Sequence, residues 1–314
     1  MMKRLAGLIG QLFLLLFVIS GITFYLLKLA PGDPVLAILA ANDSSLTQLA
    51  QERLRDDMGL NLPVHEQFAK WLTQMAKLDW GKSIASNRDV LGLLLERLPA
   101  TIVLTCGSLI VLLLVTVPLG VLAAVYPGKG MDVISRGVAL LGASIPSFWL
   151  ALLLIYAFSY HLQWLPTMGS GSWRHLVLPS LTLGFVMTPD YIRLLRAGLL
   201  DALSQDYIRA ARARGVSEWR ITFRHAVRGA LVPIVSLSGI QVGALLAGSV
   251  VTETLFGWPG LGSLAMEAIR LRDYPVVQGY VVFCGLFFVG ANFLADFTAA
   301  ALDPRIRSWK GRMR

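Results

Sequence analysis

Charge is scarce in this chain. Of its 314 residues, 15% are charged and 55% hydrophobic, against roughly 25% and 45–50% in an ordinary soluble domain. The apolar residues also come in long blocks that a water-soluble core does not require, which makes lipid the expected solvent. Cysteine is scarcer still. Cys106 and Cys284 are the only two, and both sit inside apolar blocks, which excludes a disulfide framework or a cysteine zinc site. No Ser/His/Asp set or paired carboxylates can be recognised, so no catalysis is expected of the chain itself. Gly81-Lys82-Ser83 ends like a phosphate-binding loop, but Ala76 stands where that motif needs its first glycine. Acidic residues are in deficit, 19 against 28 basic, for a formal charge of +9. Positive-inside orientation in a membrane accounts for that excess without nucleic acid as a partner.

Long apolar runs are what the chain has. About 20 apolar residues cross ~30 Å of hydrocarbon, and six segments qualify: Leu5–Leu29, Pro99–Val125, Val133–Tyr160, Leu176–Leu195, Ala230–Val251 and Val276–Ala301. Lys3 and Arg4, Lys129 and Arg136, Arg193 to Arg228, and Arg305 to Arg314 all fall on one side if each segment crosses once, which puts both termini in the cytoplasm. Met1 to Leu29 resembles a signal peptide without a small-residue cleavage site, so a retained anchor is expected. Residues 1–30 thus form the first span and 31–97 a small external cap, with helical spacing over Thr47–Met58 and a second short helix from Pro63 through Trp71. Residues 98–302 form a five-helix core containing a cytoplasmic loop, 201–228, and 303–314 a basic tail. Pro118, Pro146, Pro179 and Pro189 lie within spans, where each removes a backbone hydrogen bond.

The loop between the fourth and fifth spans carries the strongest signal. Asp206 to Arg214 is helical in composition but too short and charged to span, and Gly215 suits a left-handed C-terminal cap. Ser217 is placed to N-cap the next helix, with Glu218 favourable to its dipole. Ala210, Ala211 and Ala213 add almost no bulk, so the helix could sink into a groove on another protein while Arg209 and Arg214 hold its flanks. A basic loop bound to anionic lipid would need the charge but not the alanines or the glycine turn.

At these residues the chain resembles the permease subunits of ATP-binding-cassette importers, in the branch that imports dipeptides, oligopeptides and nickel. The elements that match are Asp206-Tyr207-Ile208, Ala211-Arg212-Ala213-Arg214-Gly215, His225 and Arg228-Gly229-Ala230. Arg209 stands where the wider family has an acid. Ala30-Pro31-Gly32-Asp33-Pro34, Leu98-Pro99-Ala100-Thr101, Ile145-Pro146-Ser147-Phe148-Trp149, Phe256-Gly257-Trp258-Pro259-Gly260-Leu261-Gly262, Arg272-Asp273-Tyr274-Pro275 and Leu302-Asp303-Pro304-Arg305 extend the likeness over nearly the whole chain.

The resemblance implies an all-α integral protein of the bacterial inner membrane with the type I importer permease fold. It also implies a second homologous permease, two subunits that bind ATP and magnesium, and an extracytoplasmic substrate-binding protein. Tyr207, Arg209, Ala210, Ala211, Arg214, Gly215 and Ser217 are then the residues expected to couple ATP hydrolysis to transport. Asp190, Gly243, Ser249 and Glu253 are candidates for the translocation path, with Glu253 facing an external vestibule or the interface. Two stretches, Pro146 to Ala151 and Leu162 to Gly169, look closest to nickel permeases. His161, Met168 and His175 cluster nearby without regular ligand spacing, so no metal site is assigned. The expected cargo is nickel, free or chelated, or short peptides. A secondary transporter, which more often shows internal repeats, and a non-transporting membrane scaffold are the competing classes.

Overall fold

A computed structural model describes residues 2–29, 51–53, 55 and 61–302. Most of the expected helix Thr47–Met58, and the basic tail 303–314, lie outside the described residues. The architecture is helical, and the chain divides into two compact units, one of residues 1–101 with 259–289 and one of residues 102–258 with 290–314.

In the first unit, α1 (Met2–Leu29) is joined by α2 (Val64–Ala76), which starts directly after Pro63 and runs past the expected end at Trp71. Phe68 of α2 is buried against Phe24, with ring centroids 5.3 Å apart, and lies 5.8 Å from Phe17. The helix that follows, α3 (Val90–Val125), begins well before Leu98, because Val90 and Leu94 are needed in the core of this unit. They pack there with Trp80, with Leu261 and Leu264 of α9 (Leu261–Arg270), and with Val276 and Phe283 of α10 (Tyr274–Leu302).

Gly81-Lys82-Ser83 does lead into an anion cradle, but for a carboxylate of the chain itself. The buried Asp273 accepts a short hydrogen bond from the Ser83 hydroxyl and two more from the backbone N–H groups of Ile84 (3.0 Å) and Ala85 (3.2 Å). These bonds bind two segments far apart in sequence, and hydrogen bonds to a charged group contribute about 1.5–3 kcal/mol each. Asp273→Ala is therefore expected to lower stability by at least ~2 kcal/mol, read as an earlier thermal transition of the detergent-solubilised protein. A variant that melts with the wild type would remove the cradle from this account.

In the second unit, α4 (Gly130–Ser144) and α5 (Ser147–Leu154, continued by a π-helical turn over Ile155–His161) meet at Ile145-Pro146 with a bend of 105°. Pro146 cannot donate to the turn before it, and Ile145 takes the extended conformation that a following proline favours. By contrast Pro179 and Pro189 lie inside one continuous helix, α6 (Arg174–Ser204). After α7 (Asp206–Ala213) and a turn over Glu218–Arg220, a second π-helical stretch, Ile221–Ala226, enters α8 (Val227–Leu255).

Small residues set the helix spacing. A Cβ on Gly184 of α6 would stand 2.5 Å from the Ser108 carbonyl oxygen of α3, and one on Gly107 would stand 2.3 Å from the Ser180 hydroxyl. Gly239 is likewise packed, against Asn292 and Ala295 of α10.

By length and apolarity, two of the described helices can cross a membrane, Val90–Val125 and Tyr274–Ala299, or three if the bent pair α4–α5 counts as one. One physical reason for a smaller number than six is visible in α6. It carries Asp190, Arg193, Arg196 and Asp201, and a helix surrounded by protein and water needs no apolar circumference.

Candidate functional site

The helix and turn of the loop 201–228, the expected lever, are built as their sequence requires. The carbonyl of Gln205 receives the N–H groups of Ile208 and Arg209 and starts α7. At the other end Gly215 adopts φ +75°, its N–H bonding the Arg212 carbonyl at 2.9 Å, while the Val216 N–H bonds the Ala211 carbonyl at 3.2 Å. This pair of bonds is the Schellman termination, and only glycine enters the left-handed region without a Cβ penalty. Ile208, Ala211 and Ile221 form a buried cluster with Val216 and Leu203 packed on it, and so the helix is fixed to the rest of its unit.

The faces of the lever follow from that cluster. Ala211 is only 5% exposed, so its methyl group faces the chain and not a partner. Asp206, Tyr207, Arg209, Ala210 and Arg214 are exposed. Arg209 pairs with Asp206 at 3.4 Å, and Arg214 Nε donates to the Ala210 carbonyl at 3.2 Å. Ser217 holds the extended N-cap conformation and its carbonyl starts the next turn, but its hydroxyl caps nothing. Glu218 is drawn instead to Arg212, whose Nε and Nη2 reach its two carboxylate oxygens at 2.7 and 3.1 Å. That hydrogen-bonded guanidinium holds the Glu218 carboxyl below its ordinary range. A carboxyl lowered in this way contributes above its unfolded value and loses the contribution as pH falls through its folded one, so the clamp is closed at neutral pH. Beside it the exposed Trp219 and Phe223 rings lie 5.0 Å apart at a 34° tilt, at a groove shared with Tyr126.

A buried ion pair that sequence reasoning missed supports this end of the unit. Asp132, 1% exposed at the start of α4, binds Arg196 of α6 in bidentate fashion, at 2.8 and 3.0 Å. The Gly128 N–H donates to the same carboxylate at 2.9 Å, and Arg136 stands 3.5 Å away. The partners are 64 positions apart, and no local pattern links them.

The path candidates divide. Asp190 is exposed, with Arg193 Nη2 at 2.6 Å and Gln241 Nε2 of α8 at 3.4 Å. Ser249 is buried, and Glu253 is 0% exposed. The expectation that Glu253 faces a vestibule or the interface is therefore corrected. The chain turns back at Gly257, where the Trp258 N–H bonds the Glu253 carbonyl at 2.8 Å, and the Glu253 side chain is buried. The surroundings of Gly243 fall outside the described residues. Ahead of α6 and in its first turn, His175 Nδ1 is 3.0 Å from the Ser172 hydroxyl, and the Gly169 N–H bonds the Phe256 carbonyl at 2.8 Å.

Around Asp190, the exposed positions of α6 are Arg174, Asp190, Arg193, Ala197, Asp201 and Ser204, and no large apolar side chain is among them. α3 exposes Leu109, Ile110, Leu113 and Leu114, and α5 exposes Phe148, Trp149 and Leu152.

Residues 116–308 match the family described as "Binding-protein-dependent transport system inner membrane component", and residues 1–105 match its N-terminal companion. The chain belongs to this family. It is thus a permease subunit of an ATP-binding-cassette importer, with the helical fold of type I importers. Among curated relatives of the permease, the glutathione transport system permease protein GsiC of Escherichia coli (strain K12) is 40% identical over 305 residues, 97% of each chain. Its counterpart in Shigella flexneri serotype 5b is 39% identical over the same span. Among solved structures, an inward-facing form of the MetNI methionine ABC transporter covers 68% of the permease and 97% of its own chain, with TM-score 0.58 and 20% identity.

Proposed function

We propose that the permease forms one half of the translocation path for short peptides, crossing the inner membrane six times with both termini in the cytoplasm. It works with a second homologous permease, two subunits that bind ATP and magnesium, and an extracytoplasmic binding protein. The outer surface of α7, with Tyr207, Arg209, Ala210 and Arg214, docks on an ATP-hydrolysing subunit, and Gly215 sets its angle. The observation that carries the path is the exposed polar face of α6, Asp190, Arg193, Asp201 and Ser204. Charged side chains at bilayer depth face protein or water, not acyl chains, so this face borders an aqueous cavity. The full-length likeness to glutathione permeases supports peptides over nickel, the cargo suggested by the Pro146 and Leu162 stretches.

The test is reconstitution of the permease with its partner subunits in proteoliposomes supplied with glutathione, free nickel or a nickel chelate. ATP-dependent accumulation of glutathione is expected. Accumulation of either nickel form alone would reassign the cargo, uptake without ATP would indicate a secondary transporter, and failure to retain any ATPase would indicate a scaffold.

A further inference from the structure

Asp190 sits near the middle of α6, about 24 Å from Arg174 and about 21 Å from Ser204 at ~1.5 Å per residue. Gln241 sits at the midpoint of α8, and the two helices pack together. Their contact places a carboxylate, a guanidinium and an amide at one level, where the exposed polar face of α6 begins. Asp190 is 52% and Arg193 64% exposed. The pair is therefore open to whatever occupies the space beside this face.

The pairing leaves capacity unused. Among the described residues, one Arg193 nitrogen is engaged, with Asp190 Oδ1, while a guanidinium carries five N–H donors. The second Asp190 oxygen is held by the long 3.4 Å contact with Gln241. The pair is neutral as a whole, so it does not concentrate cations or anions in general, yet it offers a negative and a positive group side by side. A free divalent cation would meet the guanidinium, and a simple anion would meet the carboxylate. A molecule with both an ammonium and a carboxylate can satisfy both groups without breaking the pair.

We infer that Asp190, Arg193 and Gln241 form a recognition point for zwitterionic solutes at the head of the exposed polar face of α6. The ammonium of the solute is taken by Asp190 Oδ2, the oxygen in long contact with Gln241, and its carboxylate by the remaining N–H donors of Arg193. This rests on the reading that the exposed face of α6 lines the path, and it narrows the cargo to molecules with both termini free.

The experiment uses the complete importer in nanodiscs, with Ala197→Cys placed in a Cys106→Ser, Cys284→Ser background that retains uptake. Ala197 is exposed one turn beyond Arg193. A charged, membrane-impermeant thiol reagent is expected to label it, and triglycine to slow the labelling severalfold. N-acetyl-triglycine amide, of similar size but without either charge, should leave the rate unchanged. Adding Asp190→Asn and Arg193→Gln should abolish protection by triglycine while the unprotected rate stays at its starting value, which shows that the variant remains folded. Absence of labelling would mean that partner subunit or lipid covers this face, and both the path and the recognition point would fall. Labelling with equal protection by both peptides, or by neither, would overturn the recognition point and leave the path standing.

Discussion

Replacing Asp132 with alanine is expected to destabilise the permease by roughly 3–5 kcal/mol, the usual cost of leaving one partner of a buried ion pair alone. The side chain of Asp132 is 2% exposed and that of Arg196 29%, so water cannot fully replace the lost carboxylate. Arg196→Met should cost a similar amount, because it strands the carboxylate with the Gly128 N–H and the more distant Arg136. Replacing both, as Asp132→Leu with Arg196→Met, should recover most of the loss, since apolar groups of similar volume often serve as well as a buried pair. Thermal melting of the solubilised protein across this double-mutant cycle measures the coupling. Single variants within about 1 kcal/mol of wild type would mean that the pair is a surface contact in effect.

Two adjacent alanines on the lever should give opposite phenotypes. Ala211→Glu places a carboxylate into the cluster of Ile208, Ile221 and Val216, and an unpaired buried charge costs several kcal/mol. It should therefore lower the yield of folded protein. Ala210→Glu changes an exposed position. The protein should then fold and assemble with its thermal transition unmoved, yet lose ATP-driven uptake by an order of magnitude or more, if that surface docks on the ATPase. Gly215→Val lies between the two: at φ +75° a β-branched residue costs ~1 kcal/mol or more, enough to tilt the lever without unfolding the unit. Full uptake by a correctly assembled Ala210→Glu variant would remove this face from coupling. A melting curve for Ala211→Glu matching wild type would contradict its burial.

What the sequence made legible was local. The turn at Gly215 is encoded locally, but the prolines do not announce their own effect: Pro146 breaks the third apolar run, while Pro118, Pro179 and Pro189 lie inside continuous helices. Which face of α7 turns inward could also have been read, since Ile208 and Ala211 are three apart and share a face; attention to side-chain bulk alone hid this. Asp132 with Arg196, and Ser83 with Asp273, join segments separated by most of a helical hairpin or more, and no local periodicity marks such partners. Glu253 was misjudged because position along an apolar run fixes depth but not which way the helix turns. The start of α3 at Val90 escaped notice for a related reason: Arg88, Asp89 and Glu96 look like loop residues until Val90 and Leu94 are seen in a core.

The close seam between α3 and α6 limits how this permease can move. Sliding one helix along the other would move Gly107 and Gly184 off their contacts and bring residues with a Cβ toward them. At Gly184 the clearance to the Ser108 carbonyl oxygen, 2.5 Å from a built Cβ, does not admit even a methyl group, while at Gly107 the Ser180 hydroxyl would have to rotate away. The seam thus resists shear at Gly184, which favours α3 and α6 moving together over these stretches.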